Sequence, residues 1–128
     1  MEKVIVHEFD PVIYPRKVWI VVTNNPQILT DHFNYIDDSD NSPFDTAHAF
    51  VFDCKHRVSG LKGTCICFTK KNAITFENVS HESVHIASSI FNDLGMTIGF
   101  NGGRDEHFAY LVGWVADCCN QVRTNKFK

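Results

Sequence analysis

The amino-acid sequence predicts an α+β fold: a small mixed or antiparallel sheet packed against one early helix and two C-terminal helices. Short apolar or alternating runs, of the length of strands, occupy much of the first 76 residues. The last part of the chain instead repeats its apolar residues at helical spacing over two long segments. With 128 residues, 44% of them hydrophobic, the chain is long enough to form one domain, 1–128.

Two strands and a helix are predicted in the first 37 residues. Lys3–Phe9 is rich in Val and Ile and has the composition of a strand. Val18–Val22 is a continuous apolar run, which is typical of a central strand covered on both faces. Because Pro26 is tolerated in the first turn of a helix, we expect a helix over 27–37, with Phe33 on its apolar stripe.

A hairpin is predicted in the middle of the chain. Ala47–Cys54 alternates between apolar and other residues, and Thr64–Thr69 has the composition of its antiparallel partner. Ala73–Phe76 is expected as a last short strand. The segment Asp38–Asp45 is polar and acidic, but it lacks the glycine and the terminal Glu of a calcium-binding loop. We therefore expect it to be a solvated loop.

The C-terminal half predicts two helices. Asn78 or Ser80 can cap the first of them, and Gly95 stands where a left-handed helix stop is expected after Leu94. The second helix is expected from about 105 to 121.

The first of these helices carries the motif His81-Glu82-Ser83-Val84-His85, which reads H-E-x-x-H. Histidines four residues apart leave a helix on the same face, so both imidazoles can bind one metal ion. Glu82 lies between them and can reach a metal-activated water as a general base without binding the metal itself. The motif therefore predicts a zinc site with His81 and His85 as ligands.

The residues around the motif form a stripe that matches this interpretation. At about 100° per residue, Ser88 and Asn92 fall within about 40° of His81, together with His85. The apolar residues of the same helix fall on the opposite side. A single helical histidine is more often a structural residue, but two aligned with a small polar stripe predict the floor of a cleft.

A catalytic zinc site needs three protein ligands and one open position. Glu106 begins the polar face of the last helix and is the predicted third ligand, with Asp105 and His107 as alternatives. The structural alternative for Glu106 is a first-turn acid that complements the helix dipole. Tyr110 follows Glu106 by one helical turn and is a candidate catalytic donor to a developing oxyanion, with His107 as the alternative. An ordinary amphipathic surface residue is the other interpretation of Tyr110.

These residues resemble the zincin metallopeptidases of the gluzincin type, the group that includes thermolysin. The resemblance implies a minimal zincin-like fold, two histidine ligands, a downstream helical Glu ligand and a Glu general base, which match His81, His85, Glu106 and Glu82. The segment from His81 to about Asp117 is also similar to small phage- and prophage-encoded H-E-x-x-H proteins. In zincin-like architecture an extended peptide pairs with a sheet edge, here expected at Ala47–Cys54 or Thr64–Thr69.

Composition excludes several other classes of protein. The net charge is −3 with no basic block, so nucleic-acid binding has no electrostatic support. No apolar run has transmembrane length and the N-terminus is not a signal peptide, so we expect a cytoplasmic protein without a membrane partner. The number of cysteines, five, is odd, and no C-x-x-C motif occurs. The cysteines therefore do not indicate a disulfide framework.

Three functional hypotheses follow from the sequence. The first is a small zinc metallopeptidase that cleaves a peptide or protein substrate. The second is a catalytically inactive zinc-binding interaction or regulatory protein of phage or mobile-element origin. The third is a structural protein in which the motif is accidental. Metal content separates the third hypothesis from the others, and cleavage that depends on Glu82 separates the first from the second.

Overall fold

The computed structural model describes residues 3–36 and 48–128. Within them the chain forms five strands, three α-helices and one 3-10 turn. In chain order these are β1 Val6–Phe9, β2 Lys17–Val22, α1 Pro26–His32, β3 Phe33–Tyr35, β4 Ala49–His56, β5 Lys62–Phe68, the 3-10 turn Lys71–Ala73, α2 Phe76–Asp93 and α3 Glu106–Thr124. The predicted small α+β fold is confirmed.

The five strands form one mixed sheet in the order β1-β2-β5-β4-β3. Only β2 and β5 run parallel, and the other three neighbouring pairs are antiparallel. Gly63 lets β5 approach β2 closely, because a Cβ at this position would lie 2.0 Å from the Lys17 carbonyl oxygen. The Val18–Val22 run therefore lies inside the sheet, as its unbroken apolar character predicts.

The sheet has a different layer on each face. Val18 and Ile20 of β2 face a core that also contains the apolar sides of α2 and α3. Their neighbours Trp19 and Val21 point to the other face, where they pack with Leu29 of α1. Because alternate strand residues face opposite sides, one continuous apolar strand supplies both cores.

Helix α2 lies across β4 and β5 and presents two distinct sides. It begins after Thr75, whose hydroxyl accepts a hydrogen bond from the Asn78 backbone N–H at 3.1 Å. Its core-facing residues are fully or almost fully buried: Ile86, Ala87, Ile90 and Phe91. Gly95 follows the helix with φ +69°, a conformation that glycine adopts at little cost.

Helices α2 and α3 pack against each other in opposite directions. Near the end of α2, the ring of Phe91 lies 5.5 Å from that of Phe108 in the first turn of α3. Burial raises the pKa of the Cys119 thiol late in α3, and the negative charge of Glu82, near the start of α2, adds to this rise. The start of α3 therefore lies beside the end of α2.

The structure corrects several boundaries. Helix α1 ends at His32, and Phe33 begins β3, where its ring is buried beside Trp19 instead of on a helical stripe. No strand covers Ala73–Phe76, because the 3-10 turn leads directly into α2. Helix α2 is capped by Thr75 instead of by Asn78 or Ser80.

Two further predictions concern the acidic loop and membrane-spanning helices. The predicted acidic loop Asp38–Asp45 lies outside the described residues. Across residues 3–36 and 48–128, no helix combines the length and the apolar character needed to cross a lipid bilayer.

Candidate metal centre

The two motif histidines lie side by side on the exposed face of α2. Their rings have centroids 4.8 Å apart, and the two Nε2 atoms are 3.2 Å apart. Both side chains are exposed, so the nitrogens are accessible from solvent. The predicted helix and the predicted pairing of His81 with His85 are therefore present.

This separation fits the geometry of a shared metal ion. Two imidazole nitrogens at about 2.0–2.1 Å from a tetrahedral zinc lie about 3.3 Å apart. The observed separation of 3.2 Å between the Nε2 atoms of His81 and His85 is close to that value. The two side chains could thus bind zinc with little movement, because the helix already holds them at the required spacing.

Glu82 completes a group of three potential ligand atoms. One atom each from His81, Glu82 and His85 lies within 4.8 Å of the other two. Glu82 is only 6% exposed, and this burial raises the pKa of its carboxyl above the ordinary value. Positive charge on His81 and His85 would act in the opposite direction. A carboxylate with a raised pKa beside a metal site suits a general base.

The three side chains open into a cleft of about 500 Å³ between α2 and β4. Ser88, Ser89 and Asn92 line the helical wall beyond the histidines, which agrees with the polar stripe predicted from the sequence. On the opposite wall lie the residues of β4 from Ala49 to Asp53. The cleft therefore has a polar helix on one side and a strand on the other.

On the strand side of the cleft, some backbone groups of β4 have no partner among residues 3–36 and 48–128. The hydrogen bonds of His48 and His56 to the β5 side show that the even-numbered residues of β4 point their backbone groups toward β5. The odd-numbered residues point the other way, where β3 pairs only with Cys54–His56. The backbone N–H and C=O groups of Ala49 and Val51 consequently bond to no described residue.

This arrangement decides between the two edge strands considered from the sequence. β5, which contains most of Thr64–Thr69, lies between β2 and β4 and has no free edge. The outward backbone groups of Ala49 and Val51 on β4 bond to no residue within 3–36 or 48–128. Sequence periodicity identified both strands but could not give their order in the sheet.

Glu106 does not reach the histidines. It lies at the exposed start of α3, beside the end of α2, whereas His81 lies more than two turns earlier on α2. Among the described residues, the three-residue metal group contains Glu82 and not Glu106, Asp105 or His107. The structure therefore does not bring the predicted third ligand to the histidines, because the antiparallel packing of α2 and α3 puts Glu106 beside the end of α2.

Tyr110 is also separate from the cleft. Its side chain is 74% exposed and lines a different groove, between α3 and the segment Pro11–Tyr14. The prediction that Tyr110 donates to an oxyanion at the metal site is therefore not supported by its position. His107, the alternative donor, lines the same distant groove.

The sequence interpretation missed one charged residue of the cleft. Asp53, on β4, lines the cleft together with the motif residues, and one of its carboxylate oxygens accepts a hydrogen bond from the Thr64 hydroxyl at 3.2 Å. The alternation of β4 placed Asp53 on the same face as Val51, which was a usable signal. The sequence pattern does not show that this face of β4 lies opposite α2.

Comparison with known proteins adds no relative from which a function can be carried over. No protein-family model, curated protein or solved structure matches the chain.

Proposed function

We propose that the protein is a small zinc-dependent metallopeptidase in which His81 and His85 hold the metal and Glu82 is the general base. The observation that carries this proposal is the position of the H-E-x-x-H group. It opens into a cleft whose opposite wall is a strand with backbone N–H and C=O groups that bond to none of the residues described by the structure. Two paired histidines, a buried carboxylate and a strand that could pair with an extended chain occur together.

The chemistry divides between the metal and the side chains. A bound zinc ion would supply Lewis acidity, which lowers the pKa of water toward neutrality and polarises a carbonyl group. His81 and His85 orient the ion from one helical face. Glu82 accepts the proton of the attacking water and returns it to the leaving amine. Its raised pKa brings the carboxyl closer to the pH at which both transfers are favourable.

The strand wall supports a peptide as the substrate. An extended peptide can add to the outer side of β4, where the outward backbone groups of Ala49 and Val51 bond to no described residue. Those residues line the same cleft as Glu82, so a peptide paired there passes in front of the histidines. Main-chain pairing would hold the substrate without requiring a particular side chain.

One observation favours a second candidate function. The described residues supply two histidines but no third side-chain ligand apart from Glu82. If Glu82 itself completes the metal site, it is not available as a base. The protein would then be a zinc-binding interaction or regulatory module without turnover. The role of Glu82 therefore separates the two candidates.

The test is the substitution Glu82→Gln at equal zinc occupancy. Wild-type and variant proteins are incubated with a degenerate peptide library, and cleavage products are counted by mass spectrometry. We expect the variant to retain its zinc and to lose cleavage by roughly 10²–10⁴-fold, the usual contribution of positioned proton transfer. Glu106→Gln makes the same chemical change at an exposed position away from the cleft and should cleave like wild type.

Two results would overturn the proposal. If Glu82→Gln cleaves as fast as wild type, Glu82 is not the base and the peptidase mechanism is wrong. If the variant loses its zinc together with its activity, Glu82 is a ligand, and the zinc-binding module becomes the better description.

A further inference from the structure

A second concave site lies away from the histidines. A groove of about 300 Å³ separates the segment Pro11–Tyr14 from the first turns of α3, and His107, Tyr110 and Trp114 line its helical side. We call it the aromatic groove. Tyr14 closes it from the opposite side, with its ring packed against Phe91 at 5.9 Å. The groove is therefore bordered by aromatic rings on both sides.

The rings of the groove carry unused hydrogen-bond donors. The hydroxyl groups of Tyr14 and Tyr110 and the indole N–H of Trp114 make no hydrogen bond to any residue in the described parts of the chain. An apolar wall with several free donors suits a ligand that is apolar but rich in acceptors. It does not suit a hydrocarbon, which would leave each donor unsatisfied.

Negative charge lies at the start of α3, next in sequence to residues that line the groove. Asp105 immediately precedes α3 and Glu106 is its first residue. Both side chains are exposed, and neither forms an ion pair with a described residue. Glu106 is one helical turn before Tyr110, so it lies on the same side of α3 as this groove-lining residue. The nearest basic residue in sequence, Arg104, lies instead against Gly99.

The other wall is held by an unusual turn. Val12 has φ +66°, which a β-branched residue rarely adopts, and the Ile13 N–H donates to the Pro11 carbonyl oxygen at 2.7 Å. This is a three-residue γ-turn of the strained kind. It leaves Val12 84% and Ile13 78% exposed beside the aromatic groove. Strained turns that expose apolar side chains are typical of binding surfaces.

From these features we infer that the aromatic groove binds a proline-rich segment of a partner protein, in the polyproline II conformation, with a basic residue at its end. Polyproline II chains have unpaired carbonyl oxygens and apolar rings, which match aromatic walls with free donors. The basic residue pairs with Asp105 and Glu106. This activity goes beyond the proposed peptidase and uses no residue of the histidine cleft.

The spacing of the helix fits such a ligand. Tyr110 and Trp114 are four residues apart on α3, which is about 6 Å along the helix axis. Two residues of a polyproline II helix advance by about 6 Å as well, at about 3.1 Å per residue. Successive contacts of the ligand can therefore meet Tyr110 and Trp114 in turn, while its basic end lies near Glu106.

The test uses three ten-residue synthetic peptides: nine prolines preceded by one arginine, ten prolines, and a glycine–serine peptide. Trp114 is half-buried in the groove whereas Trp19 is fully buried elsewhere, so a change in tryptophan fluorescence on titration reports groove binding. We expect saturable binding of the arginine–proline peptide, weaker binding of the all-proline peptide, and no binding of the glycine–serine peptide.

Substitutions give the site of binding. Tyr110→Ala should weaken binding by about tenfold or more, as expected for an aromatic anchor. Glu106→Lys should weaken the binding of the arginine–proline peptide more than the binding of the all-proline peptide. Phe76→Ala removes another ring, 94% exposed at the far end of the helix pair, and should leave binding unchanged. The double variant His81→Ala/His85→Ala should also bind normally, which keeps this test independent of the metal site.

Three outcomes would overturn the inference. One is that wild-type protein binds neither proline peptide. Another is that Tyr110→Ala binds both as tightly as wild type. The third is concentration-dependent dimerisation, seen by sedimentation and abolished by Tyr110→Ala, together with no peptide binding. That last result would assign the aromatic groove to a second copy of the chain.

Discussion

Helices α2 and α3 have the same sequence pattern but lie in different surroundings. Each has an apolar side that packs into the core between the sheet and the other helix, and each has a polar side. The polar side of α2 faces β4 across the cleft and presents His81 and His85 to it. The polar side of α3 begins with Glu106 and Tyr110 at the exposed surface, near the aromatic groove.

The difference shows what helical periodicity can and cannot locate. It gives the face of the helix on which a residue lies, and this was correct for both helices. It does not give the direction of one helix relative to another. Because α3 runs back along α2, its first turn meets Phe91 and not His81. The structure brings His81, Glu82 and His85 of α2 together, and it does not bring Glu106 of α3 into that group.

The largest expected effect is on the free energy of unfolding, and it distinguishes the core side of α2 from the cleft side. Ile86 is fully buried, and Ile86→Ala should lower the free energy of unfolding by about 2–5 kcal/mol, since it leaves a cavity in the core. Ser88 lies on the cleft side, and Ser88→Ala should change the free energy of unfolding by no more than about 0.5 kcal/mol. Urea denaturation of metal-free protein measures both. Similar losses at the two positions would show that the cleft side of α2 is part of the core.

A second prediction concerns the strand wall of the cleft. Ala49→Pro removes one outward backbone N–H while leaving the β4–β5 pairing intact, because that N–H does not point toward β5. We expect about a tenfold decrease in kcat/KM for the most rapidly cleaved library peptide, the equivalent of one lost hydrogen bond. Ala49→Gly retains the N–H and is the matched control. Equal rates for the two variants would exclude strand pairing at this position.

A third prediction uses the pH dependence of stability. Burial raises the pKa of Glu82 in the folded protein, so the folded state binds this proton more tightly than the unfolded state. The favourable contribution of the protonated carboxyl is complete below the unfolded pKa and is lost as pH rises through the folded pKa. In metal-free protein, Glu82→Gln should therefore increase thermal stability at neutral pH, by less than Ile86→Ala decreases it. The gain should vanish below about pH 4, where both side chains are neutral. A gain that persists in acid would point to packing instead of charge.

The smallest expected effect is at the start of α3. Glu106→Gln should change the zinc dissociation constant by no more than about twofold, because Glu106 is remote from the two histidines. A competition titration with a chromogenic chelator has the necessary precision. A large loss of affinity would place α3 beside the histidines and contradict the antiparallel packing of the two helices.

Much of the fold could be predicted because the patterns involved are local. The apolar run at β2 identified an interior strand, and the spacing of apolar residues identified α2 and α3. The end of α1 could not be predicted, because Phe33 has the spacing of a helical stripe residue. Packing against Trp19 instead places Phe33 in a strand. Here tertiary contacts outweigh a short helical pattern.

The candidate site also has a part that the sequence could predict and a part that it could not. His81, Glu82 and His85 are close in sequence, so one regular helix fixes their arrangement and the sequence alone located them. The outer edge of β4 and the position of Glu106 depend on strand order and helix direction. Both come from the packing of segments that are distant in sequence. No local pattern reports such packing.

The most direct test of the central claim is the zinc content of protein purified without a histidine tag. Measured by inductively coupled plasma mass spectrometry after dialysis against zinc-containing buffer, wild-type protein should contain one zinc per chain. The double variant His81→Ala/His85→Ala, checked for folding by circular dichroism, should contain none, because the paired imidazoles are the only histidine ligands in the described metal group. A folded double variant that retains a full equivalent of zinc would contradict the account.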